Sequence, residues 1–122
     1  MTKYALLKSY LNMEIGRDTL KKTFGENLLG AVIDHPVTVT AHDVAVAINK
    51  YLTGDASEDT LVDWVNTIWF TDLYEYDDTE SDCIGSVMAV LETLDEEGVI
   101  ITQKEWQEML MCLRTNVEYS GR

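Results

Sequence analysis

Residues 44–69, VAVAINKYLTGDASEDTLVDWVNTIW, predict two amphipathic helices joined by a short polar turn. On each side of the turn, apolar residues recur at i, i+3, i+4, i+7 and i+8, which is the spacing of one helix face. They are Val44, Ala47, Ile48, Tyr51 and Leu52 before the turn, and Leu61, Trp64, Val65, Ile68 and Trp69 after it. Gly54 lies where the first helix should end. Ser57 is a suitable N-cap for the second helix.

The same apolar spacing continues through most of the chain. The further stripes are Leu7, Tyr10 and Leu11; Leu20, Phe24 and Leu28; Ile84, Val87, Met88 and Leu91; and Trp106, Met109, Leu110, Leu113 and Val117. Thr40 with Asp43, and Thr102 with Glu105, have the spacing of N-terminal caps, and Gly98 marks a helix end. The sequence therefore predicts an all-α fold of five to six helices, packed as antiparallel helical hairpins in a bundle.

Two parts of the chain resemble each other at a spacing of 41 residues. LLKSYLNMEIGRDTLKKTF, at residues 6–24, and AINKYLTGDASEDTLVDWV, at residues 47–65, share a Tyr-Leu pair and an Asp-Thr-Leu triplet in the same register. A duplicated, repeat-like hairpin explains this match, and so does a chance similarity between two helical hairpins. Both explanations predict the same all-α architecture.

A chain of 122 residues is expected to form a single domain over residues 1–122. His35 and Pro36 interrupt the helical pattern. We expect a first hairpin at 1–34, a linker at 35–39, a second hairpin at 40–70, an acidic and aromatic connection at 71–79, and a third hairpin at 80–118. Residues 36–39 have an extended pattern, but an isolated strand has no evident partner, which favours a linker.

The charge of the chain is strongly asymmetric. Residues 1–50 carry six Lys or Arg and five acids, a net charge of +1, whereas residues 51–122 carry three Lys or Arg and seventeen acids, a net charge of −14. No Lys or Arg occurs in residues 51–103. This pattern disfavours direct nucleic-acid binding, because phosphate contacts require Lys and Arg. It favours a basic protein as the partner.

The chain shows no apolar segment typical of a secretory signal or a membrane span, so we expect no membrane association. Cys83 and Cys112 lack the close spacing of a paired motif. Two distant cysteines in such a chain are typical of free thiols in a reducing compartment, which predicts a cytoplasmic location. Neither pattern indicates the oligomeric state.

Residues 68–83, IWFTDLYEYDDTESDC, combine four aromatic rings with six acids. The side chains predicted to bind a partner are Asp72, Tyr74, Glu75, Tyr76, Asp77, Asp78, Glu80 and Asp82. Tyr and Trp are frequent at binding hot spots, and acids attract a basic partner. Tyr74 and Tyr76 are the expected surface rings, whereas Trp69 and Phe70 are assigned more readily to the core. The alternative is a solvated loop in which residues 77–79 cap a helix beginning near residue 80.

Patterns for catalysis and for metal binding are weak throughout. His35 and His42 are seven residues apart, so they lack zinc-ligand spacing. Counting an EF-hand loop from Asp72 or from Asp78 puts the wrong residue types at positions 6 and 12, although a non-standard divalent site remains open. We find no Gly-x-Ser-x-Gly turn and no glycine-rich phosphate loop. We therefore predict no catalytic residues, no metal site and no cofactor; an enzyme using paired carboxylates is the least favoured alternative.

The helix–turn–helix pattern at residues 44–69, about a fifth of the chain, resembles the opening of small acidic bacterial immunity proteins of the colicin-D-immunity type. The shared features are Tyr51-Leu52, Gly54, the Ser57 cap, and Leu61 with Trp64. This resemblance implies a cytoplasmic inhibitor that blocks a toxin, often a basic nuclease, with a negative surface. We therefore predict a non-enzymatic, immunity-type inhibitor of a basic protein. The alternatives are a phage or mobile-element protein that mimics the charge of DNA, and a self-associating helical adaptor.

Overall fold

The computed structural model describes residues 2–120, which form a predominantly α-helical fold with one small sheet. Within that range the helices are α1 (Lys3–Leu11), α2 (Arg17–Phe24), α3 (Ala41–Leu52), α4 (Glu58–Phe70), α5 (Ser81–Leu91) and α6 (Gln103–Thr115). The strands are β1 (Val37–Val39) and β2 (Tyr74–Tyr76), and two short 3₁₀ turns cover Leu28–Gly30 and Glu92–Asp95. The predicted helical class and helix number are confirmed.

Three helices, α3, α4 and α6, begin at the caps that the sequence predicts. Thr40 and Asp43 form a reciprocal capping box at α3: the Thr40 hydroxyl accepts from the Asp43 N–H at 3.2 Å, and the Asp43 carboxylate accepts from the Thr40 N–H at 2.9 Å. Thr102 and Glu105 form the same box at α6. The Ser57 hydroxyl accepts from the Thr60 N–H at 3.1 Å at the start of α4. Each cap satisfies backbone donors that a helix start leaves open and stabilises the helix by about 1 kcal/mol.

The helices pack around one core to which every helix contributes. Consecutive pairs are in contact, α1 with α2, α3 with α4 and α5 with α6, and α3 also packs against α6. On α4 the predicted stripe is buried, with Leu61, Trp64 and Ile68 inside. The Trp64 indole N–H donates to the backbone carbonyl of Leu11 at 3.1 Å and so joins α4 to the end of α1. The antiparallel sense of the hairpins stays a prediction.

A parallel strand pair forms where the sequence predicts only connections. Its first strand lies in the predicted linker at 35–39 and its second strand in the predicted connection at 71–79. The register of β1 and β2 places Val37 opposite Tyr74, Thr38 opposite Glu75 and Val39 opposite Tyr76. The Val37 N–H donates to the Leu73 carbonyl at 2.9 Å, and the Asp77 N–H donates to the Val39 carbonyl at the same distance. The expectation of an unpaired linker is wrong because the partner strand is distant in sequence and parallel, and no local turn pattern indicates such pairing.

The strand pair determines which side chains point inward. Val37 and Val39 are buried and Thr38 is exposed, as the period of two along a strand requires. In β2 the same alternation buries Tyr74, which is only 6% exposed, and exposes Glu75. The Tyr74 hydroxyl donates to the backbone carbonyl of Leu7 in α1 at 2.6 Å, and burial raises the pKa of Tyr74. The expectation that Tyr74 lies at the surface is therefore wrong.

A second buried tyrosine, Tyr10, joins α1 to α4. Its hydroxyl donates to the Thr67 hydroxyl at 3.1 Å, and burial raises the pKa of Tyr10 to about 12. Both tyrosines therefore remain neutral over the physiological range, as hydrogen-bond donors inside the core.

In the described part of the chain, no helix is both long enough and apolar enough to cross a bilayer.

The first prediction concerns the bond between Tyr74 and Leu7. We expect Tyr74→Phe to lower the free energy of unfolding by about 1 kcal/mol, because it removes one buried hydrogen bond and leaves the ring in place. Urea denaturation followed by circular dichroism measures the change. The matched control is Tyr76→Phe, since within residues 2–120 the Tyr76 hydroxyl makes no hydrogen bond. Equal losses in the two variants would contradict the role given to Tyr74.

Candidate functional site

The eight side chains predicted to bind a partner divide by exposure into three groups. Four carboxylates are exposed: Asp72, Glu75, Asp78 and Asp82. Tyr76, Asp77 and Glu80 are half-buried, and Tyr74 is buried. Four exposed acids therefore remain at the surface in this part of the chain, whereas the Tyr74 ring does not.

Two of the half-buried carboxylates hold local structure. The Asp77 carboxylate accepts from the Thr79 N–H at 3.0 Å and from the Thr79 hydroxyl at 2.7 Å, and so closes the turn after β2. The Glu80 carboxylate accepts from the Ala41 N–H at 3.1 Å, in the first turn of α3. Helix α5 begins at Ser81 without a side-chain cap. Residues 77–79 thus form a turn and do not cap α5 as expected. The Glu80 carboxylate instead binds a backbone N–H at the start of α3.

The exposed rings are Trp69 and Phe70, at the end of α4. Trp69 is 38% exposed and Phe70 is 53% exposed, and their rings stack with centroids 6.1 Å apart. Their assignment to the core is wrong, because the chain leaves α4 at Thr71 and places Leu73 and Tyr74 in the core instead. The sequence held one signal for this outcome: Phe70 lies outside the apolar stripe of α4.

A shallow depression lies beside the two exposed rings. It is lined by Ile68, Trp69, Tyr74, Glu75, Tyr76 and Gly85, and its volume is about 330 Å³. Gly85 lies in α5, and a Cβ atom there would be 3.9 Å from the Tyr76 ring, so the ring leans over the glycine. Burial raises the pKa of Tyr76, which keeps its hydroxyl neutral. Aromatic residues therefore make up half of the lining of the depression, and Glu75 is the one acidic residue in that lining.

The exposed acids of this region form no ion pair with a basic residue of the described range 2–120. The ion pairs between described residues are Arg17–Asp63, Lys21–Glu26 and Lys104–Glu108, each at 3.9 Å. None of them uses a residue of 64–103, and residues 51–103 contain no Lys or Arg. The exposed carboxylates of residues 72–82 thus produce a negative potential beside the stacked rings.

Within residues 2–120, no three His, Cys, Asp or Glu side chains are placed to hold a metal ion together. The Cys83 thiol donates to the backbone carbonyl of Cys112 at 3.2 Å, and burial, with smaller effects of Cys112 and Glu80, raises the pKa of Cys83. A neutral thiol is a weak nucleophile. The hydrogen bond of Cys83 joins α5 to a backbone carbonyl of α6.

Comparisons of the chain with protein-family models, with curated proteins and with solved structures give no match. The resemblance to colicin-D-type immunity proteins therefore stays a prediction. What the surface can do has to be derived from its own side chains: two stacked rings, a depression lined by aromatic residues, and exposed carboxylates that form no ion pair with a described residue.

The second prediction tests the potential around Trp69 by fluorescence quenching. We expect caesium ions to quench tryptophan emission more efficiently than iodide ions, relative to free N-acetyltryptophanamide, because a negative surface attracts cations and repels anions. Trp69→Phe should remove most of the quenching, since Trp64 and Trp106 are buried. Trp106→Phe is the matched control and should leave the caesium preference unchanged. Stronger quenching by iodide would contradict an anionic surface.

Proposed function

We propose that the protein is a non-enzymatic inhibitor of the immunity type that binds a basic protein, such as a nuclease toxin. Its contact would be the acidic–aromatic surface, defined as Trp69, Phe70, Asp72, Glu75, Tyr76, Asp78 and Asp82. The helices, paired as antiparallel hairpins, form its scaffold. One observation carries the proposal: two stacked rings are exposed at the end of α4, and the exposed carboxylates that follow them in the chain form no ion pair with a described residue.

Rings and carboxylates would have different roles in such a contact. An exposed ion pair contributes only about 0–1 kcal/mol, so the acids alone give modest affinity. Aromatic anchors that become buried on binding supply most of the binding energy at typical interfaces. The negative potential accelerates the encounter with a basic partner and disfavours acidic ones. Together the two features support selective binding to a cationic surface.

The mechanism in this proposal is steric and electrostatic occlusion. A nuclease that binds nucleic acid needs a positive active site, and a negative protein surface competes for it. No bond is made or broken by the inhibitor. The proposal includes a cytoplasmic location and no direct contact with nucleic acid or membrane. A mimic of DNA charge would use the same surface, and its partner would be a nucleic-acid-binding protein without toxin activity.

The third prediction neutralises the acidic part of the surface. We expect the combined change Asp72→Asn, Glu75→Gln, Asp78→Asn and Asp82→Asn to weaken binding to the partner by about tenfold or more and to flatten its salt dependence, because association loses its electrostatic steering. The partner is first captured from a lysate of the source organism, and its isoelectric point is established. Surface plasmon resonance at two salt concentrations then measures affinity and association rate.

A matched variant separates position from total charge. This variant removes four exposed acids outside the acidic–aromatic surface by the changes Asp55→Asn, Asp95→Asn, Glu96→Gln and Glu97→Gln. It should keep its affinity for the partner. Capture of only acidic or neutral partners would contradict the proposal. Undiminished binding after the change at residues 72–82 would contradict it as well.

Self-association is the second candidate, and a specific feature of α6 favours it. Met111 is 49% exposed and Val117 is 54% exposed, and both line a groove of about 620 Å³ along α6. Exposed apolar side chains beside a groove are typical of protein–protein contacts. A second copy of the chain would bury them, which makes a helical adaptor the alternative function.

The fourth prediction decides on self-association. If α6 forms the contact, light scattering gives a mass that rises with protein concentration toward a dimer and does not change at high salt, because apolar contacts are insensitive to screening. Met111→Glu should return the mass to that of the monomer. Leu29→Glu is the control, since Leu29 is an exposed apolar residue outside the groove. A monomeric mass at every concentration would exclude the adaptor.

A further inference from the structure

The segment that follows α6 turns back onto the body of the fold and lies over Cys83. We propose that residues 116–120, called the strap from here on, open and close over the Cys83 thiol as one unit, with Asn116 as the hinge, while helices α1–α6 stay folded. The strap has no residue in common with the acidic–aromatic surface, so this inference does not depend on the proposed function.

The chain changes direction sharply at Asn116. This residue ends α6 in the left-handed conformation, with φ of 55° and ψ of 50°. Asparagine tolerates that conformation better than most other residues with a side chain. The next residue, Val117, donates its N–H to the Cys112 carbonyl at 3.0 Å, and the Asn116 side-chain amide donates to the Thr79 carbonyl at 2.9 Å. Reversal at one residue is the feature that a hinge requires.

Hydrogen bonds join the strap to the surroundings of Cys83 at two points. The Cys83 thiol, at 3.2 Å, and the Val117 N–H donate to the same acceptor, the Cys112 carbonyl oxygen. Two positions further along the strap, the Tyr119 N–H donates to the Ser86 hydroxyl at 2.8 Å, and that hydroxyl donates to the Cys83 carbonyl at 2.7 Å. With the strap closed, Cys83 is only 2% exposed.

The strap itself contributes little to the core. Four of its five residues are exposed, and the fifth, Tyr119, is buried. Tyr119 lines two open depressions, one of about 470 Å³ shared with residues of α5 and one of about 620 Å³ shared with residues of α6. A segment with one buried ring opens at a lower free energy than the whole fold, because few buried apolar contacts are lost.

Opening of the strap changes two features of the molecule. It uncovers Cys83, whose pKa is raised chiefly by burial, so solvent contact increases the thiolate fraction and the reactivity toward electrophiles. It also removes one wall of the groove along α6, which is formed by Val117, Glu118, Tyr119 and Ser120. The strap therefore couples the accessibility of a thiol to the shape of that groove.

The fifth prediction measures opening by the rate at which N-ethylmaleimide labels Cys83 in the whole folded chain. Residues 51–103 contain no Lys or Arg, and Lys104 separates Cys83 from Cys112, so trypsin places the two cysteines on different peptides. Mass spectrometry then follows Cys83 by itself. We expect its labelling rate to be almost independent of urea below the unfolding transition, because local opening exposes little surface.

Two variants weaken the strap and should accelerate the labelling. Tyr119→Ala removes the buried ring, and we expect a rate increase of about thirtyfold or more. Ser86→Ala removes the acceptor of the Tyr119 N–H, and we expect an increase of about fivefold. Ser81→Ala, a change of the same type in α5 at a residue that does not bond to the strap, is the matched control and should keep the original rate. Circular dichroism establishes that each variant is folded.

Two results would overturn the proposal. In the first, the labelling rate rises with urea as steeply as global unfolding does, which means that the reagent reaches Cys83 only in the unfolded chain. In the second, Tyr119→Ala and Ser86→Ala are folded and both keep the original rate, which means that the strap does not cover the thiol. Neither result concerns the acidic–aromatic surface, which is tested by partner binding.

Discussion

Backbone pairing between Val37–Val39 and Tyr74–Tyr76 is the constraint on which the candidate site depends. Three residues on each strand are few, and a two-stranded sheet is marginal without support. Here β1 packs against α1, and β2 packs against α4 and α5. The helices thus stabilise the strands, and the strands in turn fix the connection between α4 and α5. Because side chains alternate along β2, the same pairing that buries Tyr74 exposes Glu75.

Bonds between distant parts of the chain reinforce this arrangement. Tyr74 bonds to Leu7 of α1, and Glu80 bonds to the N–H of Ala41 at the start of α3. The segment between these two residues is therefore held at both ends by different helices. Its exposed carboxylates are presented from an ordered backbone, which lowers the entropy cost of binding. Such ordering distinguishes this acidic segment from a solvated loop, whose backbone would have to be fixed by the partner.

The sequence predicted the local parts of the fold and missed the non-local ones. The capping boxes at Thr40 and Thr102 join residues three apart, so their pattern is visible in a short window. The strand pair joins Val37 to Tyr74, 37 positions later, and each strand is too short to show alternation on its own. Tyr74 was placed at the surface for that reason. Of the six acids in residues 72–82, four are exposed, whereas Asp77 and Glu80 are half-buried and accept backbone hydrogen bonds that the charge pattern does not indicate. The exposed rings are Trp69 and Phe70 and not the residues that the sequence indicated.

The exposure of Trp69 and Phe70 has a cost that the fold alone does not explain. Full burial of a large apolar side chain stabilises a protein by about 1.5–3 kcal/mol, and these two rings, which are 38% and 53% exposed, forgo part of that. The neighbouring acids add a second cost, because like charges without basic partners repel each other in the folded chain. Leu73 and Tyr74 complete the core where the rings leave it, so the exposed pair is not needed for packing. In the proposed complex, a cationic partner would cover the rings and neutralise the carboxylates, and both costs would be recovered. The proposed binding role would account for the rings and the acids together.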